Sequence, residues 1–571
     1  MTPAAPTILV NHLGFRPDDP LKRALLPIPK GRIGWLGVET FNVIEVSALI
    51  RHPLGSPEWL AAHHPVMGRI EQTPLGDFVV CDCSPLTARG GYQIHHEGRR
   101  SVPFLVYRDL WKRCFRLLLE WYRIASCGEA VPGWHEACHL DDARIADTGE
   151  PRDLVGGWHD AGDLRKWTST MAFVTHGLTD FLREQPDPTA VGVDPDLVHH
   201  QLERAASYLL KTLDPDTGLP WHSIASDVRR ANESGVWTDN RPNSGDEREA
   251  RRDCSEATVD HMVRALAGLA VRYAAQRSDE RNRLIAAARR VFASGEQRFG
   301  TEPDMALDAT LALWEAEPSP EWRDRTVEGL RRLLRRQVTG PAFDQSRLSG
   351  FFVRDGTLDE NEGFRGRGGR NLFRYARRVR HLSRALLTWP GHPESPRWKE
   401  ALLALLEGCL EPMIRRSPFR VLPACLCLDT DPVPGARPLD GRLCFRYFGI
   451  HAEGNNGELA QAAEALALAS RALDQPRWAA LGQKQIEWIY GFNPFDTCMM
   501  TGLGYSTAAV FSPFVGQIPG AIVNGILGNP ETDEPRLAMD RQLSPMLMEY
   551  WSVHTAAVLT ALATLENQPL T

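Results

Sequence analysis

Two carboxylates three residues apart stand among glycines in the stretch Gly156-Gly157-Trp158-His159-Asp160-Ala161-Gly162-Asp163. Glycines let a backbone turn sharply and let a ligand come close, so Asp160 and Asp163 can face one cavity. Paired carboxyl groups suit general acid–base chemistry, in which one group holds a proton and another takes one. A second cluster overlaps the first: Cys127, Cys138 and His139 lie upstream, and His159 directly precedes Asp160. Two thiols and two imidazoles suit a closed tetrahedral zinc site, although their spacing is not that of a zinc finger. Spacing alone leaves plainer readings open. One aspartate can cap the following helix, the other can form an Asx-turn, and the thiols can simply be buried.

These residues sit near the start of a long helical region. From Tyr107 to Ala125 apolar residues recur at helical spacing, and helices dominate from there on. The pattern predicts about twelve helices, beginning with Arg108–Ala125, Trp167–Leu182, Asp196–Leu213, Ser255–Tyr273 and Asp279–Val291. Met305–Trp314, Glu321–Arg335, Leu372–Thr388, Trp398–Met413 and Gly457–Leu473 follow, then Arg477–Tyr490 and Pro545–Leu565. Before the switch, short apolar runs at Thr7–Val10, Ile33–Val38, Phe78–Cys83 and Tyr92–His95 are separated by turn residues, as in a β-sandwich. The expected division is a sandwich over residues 1–106 and an all-α domain over 107–571, as a bundle or an α/α barrel.

Composition narrows the partners. The 571 residues are 43% hydrophobic and 24% charged, with a net charge of −7, which excludes a broadly basic surface for nucleic acid or an anionic membrane. The Arg-rich stretch Arg365–Arg380 is a local exception, read as a loop entering a helix with a charged outer face. The alternative is that Arg365–Arg370 shape a subsite for an acidic sugar. No stretch of eighteen apolar residues exists, and the first residues lack the marks of a secretory leader, so the expected location is cytoplasmic. Eleven scattered cysteines do not read as a disulfide framework.

The string GGWHDAGDLRKW resembles the hallmark of glycoside hydrolase family 9. Cys127-Gly128 and the segment Pro132–Ala143 resemble the family's preceding stretch, and Val10-Asn11-His12-Leu13-Gly14-Phe15 is similar to the opening strand of its Ig-like module. Ser255-Glu256-Ala257-Thr258 fits a family helix, and Gly491-Phe492-Asn493-Pro494 with Met500-Thr501-Gly502-Leu503-Gly504 resembles its C-terminal signature region. The resemblance implies an N-terminal Ig-like β-sandwich followed by an (α/α)6 barrel, acting as an inverting hydrolase of β-linked sugars.

Family resemblance makes Asp163 the base and Asp160 its partner in holding water. Glu549, in Met548-Glu549-Tyr550-Trp551, takes the place of the acid, although the family's usual Asn neighbours are here Met548 and Thr555. An inverting pair is separated by about 6.5–9.5 Å, leaving room for a water. The resemblance also implies structural zinc on Cys127, Cys138, His139 and His159. Calcium occurs in the family too, but no ligands are assigned to it here. Trp158, Trp237 and Trp551 are the tryptophans expected to stack on sugar, and 237–243 is a candidate cleft wall. One family element is missing: after Gly504 no His-His-Arg appears, where cellulases of the family contact sugar. The expected substrate is therefore a short β-linked, β-1,4 oligosaccharide of cello- or glucosamine type, cut from one end. An endoglucanase and an inactive carbohydrate-binding barrel are the alternatives. A lyase or epimerase would need a Tyr, His or Lys base in place of the carboxylates.

Overall fold

The computed structural model describes residues 8–29, 38–46, 56–225, 238–273, 277–301, 306–340, 346–354, 357–358, 371–430, 432–449, 454–508, 510, 518–537 and 548–571. Eight strands come first: β1 (Gly14–Phe15), β2 (Arg23–Pro27), β3 (Val38–Glu45), β4 (His63–Thr73), β5 (Gly76–Asp82), β6 (Gly90–His96), β7 (Arg99–Arg100) and β8 (Phe104–Val106). They join in one hydrogen-bonded path, β1-β8-β6-β3-β4-β5-β2, with β7 paired to β6. The expected sandwich implies two separate ladders; here β4 links the halves. His63–Arg69 pairs with β3, and Gly68–Thr73 pairs with β5. At the changeover a Cβ on Gly68 would run into the Phe41 ring and the Val79 side chain, so the missing side chain leaves room for both. Side chains from both halves, among them Ala24, Val79, Ile94 and Phe104, then share one core.

The expected strand at Ile33–Val38 falls largely outside the described residues, and Ile8 and Leu9 make isolated bridges. The alternate residues Leu25, Phe78 and Val80 face the other way and join the core of the helical region. Polar contacts cross the same boundary. Lys484 Nζ pairs with Asp19 at 2.7 Å and with Glu487 at 2.7 Å, all buried, and Arg16 donates to the backbone carbonyls of Leu565 and Gln568. His12 hydrogen-bonds Asp496 at 3.0 Å through Nε2, and its imidazole lies where a Cβ on Gly491 would be. Gly491 has φ +103°, so the two distant motifs that contain His12 and Gly491 meet in one joint that requires glycine.

Twelve helices follow among the described residues: α1 (Lys112–Ile124), α2 (Thr168–Glu184), α3 (Pro195–Lys211), α4 (Glu256–Arg272), α5 (Ser278–Phe299) and α6 (Leu307–Ala316). The others are α7 (Pro320–Leu334), α8 (Asn371–Thr388), α9 (Ser395–Leu405), α10 (Asn456–Leu473), α11 (Pro476–Ile489) and α12 (Ser552–Glu566). A π-turn at Leu406–Leu410 carries α9 on to Arg415. Caps set several starts. Ser255 accepts from Thr258 N–H, and Ser319 accepts from Trp322 N–H with Pro320 at the first helical position.

Packing sorts the helices into two layers. α2, α4, α6, α8, α10 and α12 touch in that order, and α12 returns to α2, closing a ring. The other six lie outside it. α10 and α12 are buried almost all round and rich in alanine, as central helices must be. A Cβ on Gly177 of α2 would lie 2.9 Å from the Ala556 Cβ of α12, so these two helices approach at small residues. The outer α1 buries one face, including Phe115, Leu118, Trp121 and Tyr122. The charged outer face expected for Arg365–Arg380 is corrected in part. Residues 365–370 lie outside the described residues, but Arg378 and Arg380 of α8 are buried, and Arg380 turns into the ring to pair with Asp308 and Glu464.

Candidate active site

The loop from Gly156 to Arg165 lies between α1 and α2 and is fixed on every side. Gly156 and Gly157 have φ +116° and +73°, and a Cβ on Gly157 would sit 2.8 Å from the Tyr208 ring. Only glycine meets both demands without strain. Cys127 N–H donates to Gly157 O at 2.9 Å, and His159 N–H donates to Ala125 O at 2.8 Å. Behind the loop is a buried charge triad. Lys166 Nζ pairs with Asp142 at 2.6 Å and donates to Leu154 O and Gly156 O, while Arg248 grips the same Asp142 and donates to Leu164 O at 2.6 Å. Charges this deep persist because each meets an opposite charge and carbonyl acceptors.

Neither aspartate caps a helix, because α2 begins only at Thr168. Asp160 is buried, its N–H donates to Arg165 O at 3.0 Å, and its Oδ1 has no hydrogen-bond partner among the described residues. Burial, with Asp163 and Glu549 nearby, pushes its carboxyl well above the usual range. Asp163 is more open. Its carboxylate accepts from Arg165 N–H at 3.2 Å and pairs with Arg165 Nε at 3.2 Å.

Glu549 comes from the far end of the chain, and its setting corrects the expected helix Pro545–Leu565. Residues 545–547 lie outside the described residues, Glu549–Trp551 is extended, and α12 starts at Ser552. Tyr550 bridges Val523, Trp551 bridges Ala161, and Ser552 N–H donates to Asp160 O at 2.7 Å, which stitches this segment onto the aspartate loop. The Glu549 carboxyl accepts hydrogen bonds from the Gly162 and Asp163 N–H groups. Burial and then the Asp163 charge nonetheless raise its pKa to about 8, so it keeps its proton at neutral pH. Three carboxyl groups thus meet, Asp160 buried and Asp163 and Glu549 partly buried, with Asp163 beside an arginine. Arg165 is a site residue that sequence reasoning missed; it lies in the LRKW tail of the quoted motif.

Cys127, Cys138, His139 and His159 converge so that one donor atom from each lies within 4.8 Å of all the others. Cys127 Sγ lies 3.8 Å from His139 Nδ1, and Cys138 Sγ lies 3.5 Å from His159 Nε2. Burial pushes His159 down to about 4, which keeps its imidazole neutral. Two cysteine sulfurs and two imidazoles, three of the four residues buried, fit a closed four-coordinate metal centre. Part of the expected cleft wall closes on this cluster instead. Asn240 Nδ2 donates to Ala137 O at 2.9 Å, and Thr238 donates to Asp141.

The three tryptophans fare differently. Trp158 is corrected: it is fully buried, its Nε1 donates to Gln201 at 2.8 Å, and its ring packs edge-on against Tyr122, so no face is left for sugar. Trp237 lies outside the described residues. Trp551 is half-buried and lines a cavity inside the helix ring. After Gly504, Tyr505 is exposed beside His12, and residues 511–517 lie outside the described residues. No helix among the described residues is long and apolar enough to cross a membrane.

Residues 111–310 match the model of glycosyl hydrolase family 9. A cellodextrinase of Butyrivibrio fibrisolvens is 26% identical over 167 residues, which is 26% of this chain and 30% of that protein. A metagenome-derived family 9 endoglucanase superposes with a TM-score of 0.68 at 20% identity, covering 98% of this chain and 99% of the other. A Zn-binding triple mutant of the family 9 endoglucanase J30 gives 0.65 at 19% identity, covering 97% and 100%. The segment that matches glycosyl hydrolase family 9 holds the metal cluster and both loop aspartates, and the fold agrees with those family 9 structures along nearly the whole chain.

Proposed function

We propose that this chain is an inverting β-glycosidase acting on short β-linked, β-1,4 oligosaccharides. The observation that carries the reading is Glu549, a partly buried carboxyl hydrogen-bonded to the loop that bears Asp163, with a pKa raised to about 8. Cleavage passes through an oxocarbenium-like state, and the leaving oxygen must gain a proton as the bond breaks. Glu549 delivers that proton. Asp163 takes one from water on the opposite face of the sugar, and Arg165 orients its carboxylate. Asp160 offers its unpartnered oxygen to the same water.

The helix ring is read as the inner wall of an (α/α)6 barrel spanning 107–571, and the curled sheet of 1–106 as an Ig-like domain. The four-residue cluster is read as a structural zinc centre held by Cys127, Cys138, His139 and His159. When bound, the metal crosslinks the α1 end to the catalytic loop. With all four positions taken by protein, it supplies no chemistry of its own.

The test is proton NMR of early products from a β-linked substrate. Inversion gives the α-anomer first, and an initial β-anomer means a nucleophilic carboxylate and a different mechanism. Asp163→Asn should lower turnover by roughly two to four decades with the fold retained; near-normal activity refutes the base assignment. The endoglucanases among similar folds favour a second reading, an open cleft cutting long soluble glucans. Product lengths over time separate the two, because single units point to end-wise cutting and mixed lengths to an endoglucanase.

A further inference from the structure

The extended segment that carries Glu549 is held from two sides. The aspartate loop holds one side, where Ser552 N–H donates to Asp160 O at 2.7 Å and Trp551 bridges Ala161. Ile522–Asn524 holds the other. Trp551 N–H donates to Ile522 O at 3.2 Å, and Asn524 N–H donates to Glu549 O at 2.9 Å. This second strip is itself anchored. Val523 N–H donates to Met499 O at 3.1 Å, and Asn456 Nδ2, at the start of α10, donates to Val523 O at 2.8 Å.

Asn524 also uses its side chain. Its Oδ1 accepts from His554 Nε2 at 3.0 Å, and both residues are buried. His554 lies in the first turn of α12. From Glu549 the chain therefore runs through Trp551 to His554, then by one hydrogen bond to Asn524 and by a second back to Glu549. The result is a closed clip across the change from extended backbone to helix. Without it, the soft φ and ψ dihedrals at that change would let Glu549 swing about the helix start.

Room is kept for the imidazole. A Cβ on Gly457 of α10 would run into the His554 ring, and the Trp551 ring packs edge-on against it at 5.2 Å. Val553, Ala557 and Thr560 of α12 line the cavity inside the helix ring, whereas His554 packs on α10. Any influence of His554 on the chemistry thus passes through Asn524 and the Glu549 backbone.

We infer that His554 is a positioning residue, which through Asn524 fixes the backbone of Glu549 and so sets where the proposed acid holds its proton. The inference rests on the glycosidase reading and adds to it. A misplacement of about 1 Å at a reacting group can cost about a hundredfold in rate. The Glu549 carboxyl has to stay on the Gly162 and Asp163 N–H groups, with Asp163, Asp160 and Arg165 as the charged groups that face it.

Three variants of the full chain test the clip. His554→Leu replaces the ring with an apolar group, Asn524→Ala removes the acceptor but keeps the backbone N–H, and His554→Gln restores a donor. One readout is kcat and KM on an alkyl β-glycoside. The other is the titration midpoint of the Glu549 carboxyl by carbon-13 NMR of glutamate-labelled chain, its resonance assigned by its loss in Glu549→Gln. His554→Leu should lower kcat by about tenfold or more while KM stays within about twofold. Its Glu549 midpoint, about 8 in the wild type, should fall by about one pH unit or more, because burial is the largest cause of its rise. Asn524→Ala should do the same, and the double variant no more than either alone. His554→Gln should return both readouts close to wild type.

A merely structural His554 would lower the melting temperature and leave the midpoint of the folded chain in place. An unmoved midpoint in folded His554→Leu overturns the clip, as does a shift that His554→Gln fails to reverse. Asn524→Ala decides the matter should His554→Leu fail to fold. The midpoint needs no turnover, so the two readings fail separately. A midpoint that moves and returns, in a chain that hydrolyses no glycoside, removes the glycosidase and keeps the clip. Hydrolysis that Glu549→Gln abolishes, with a midpoint that ignores His554→Leu and Asn524→Ala, does the reverse.

Discussion

Glu549→Gln probes the proton that the proposed reaction spends. A glutamate with a pKa near 4.5 is about 0.3% protonated at pH 7, whereas one near 8 is about 90% protonated, a gain of about 300-fold in usable acid. Burial is the largest cause of that rise, and the Asp163 charge adds to it. The alkaline limb of kcat/KM, which reports the free enzyme, should therefore fall with a midpoint near pH 8. The assay is kcat/KM from pH 4 to 10 on two β-glycosides, one with an alkyl leaving group and one with a nitrophenol. Glu549→Gln should erase the alkaline limb and cut the alkyl glycoside by roughly two to four decades. The nitrophenyl substrate needs little protonation and should suffer far less. If the wild-type limb falls near pH 5, or if both substrates drop equally in the variant, Glu549 is not the acid.

Two further outcomes bear on the loop. Cys138→Ser should remove about one zinc per chain and lower the melting temperature, because such ligands hold the metal and the fold together; metal analysis finding zinc retained refutes the site. Gly157→Ala should destabilise the chain by about 1–3 kcal/mol, since an alanine at φ +73° is strained before it meets Tyr208. A denaturant midpoint unchanged by that substitution would show the loop to be looser than described.

Much of this was readable from the sequence, for definable reasons. Outer helices such as α1 show a clean apolar stripe, and α10 shows an alanine-rich run with few polar breaks, so both betray their period or their burial. β4 went unseen because it contains Pro65 and Gly68 and exposes residues on both faces. Glu549 was expected within a helix but lies on an extended segment, because that segment runs straight into an apolar helix that begins at Ser552. Trp158 looked like a stacking platform because it sits two residues from Asp160, yet its side chain turns into the core. The interior ion pairs were the least legible. Arg377 and Arg380 are spaced like a solvated helix face, and only the closing of the ring brings them to Asp308 and Glu464.

The joint between His12 and Gly491 bears on where this chain can be cut. The change from strands to helices near residue 107 invites a fragment that starts there. Such a fragment would lose Asp19 and leave the buried Lys484 ammonium with Glu487 but without its second carboxylate. It would also uncover the apolar surface beneath Leu25, Phe78 and Val80. The sheet is thus not a removable module. Its inner-facing side chains are part of the helical unit's own core, so a cut near residue 107 passes through packed surface.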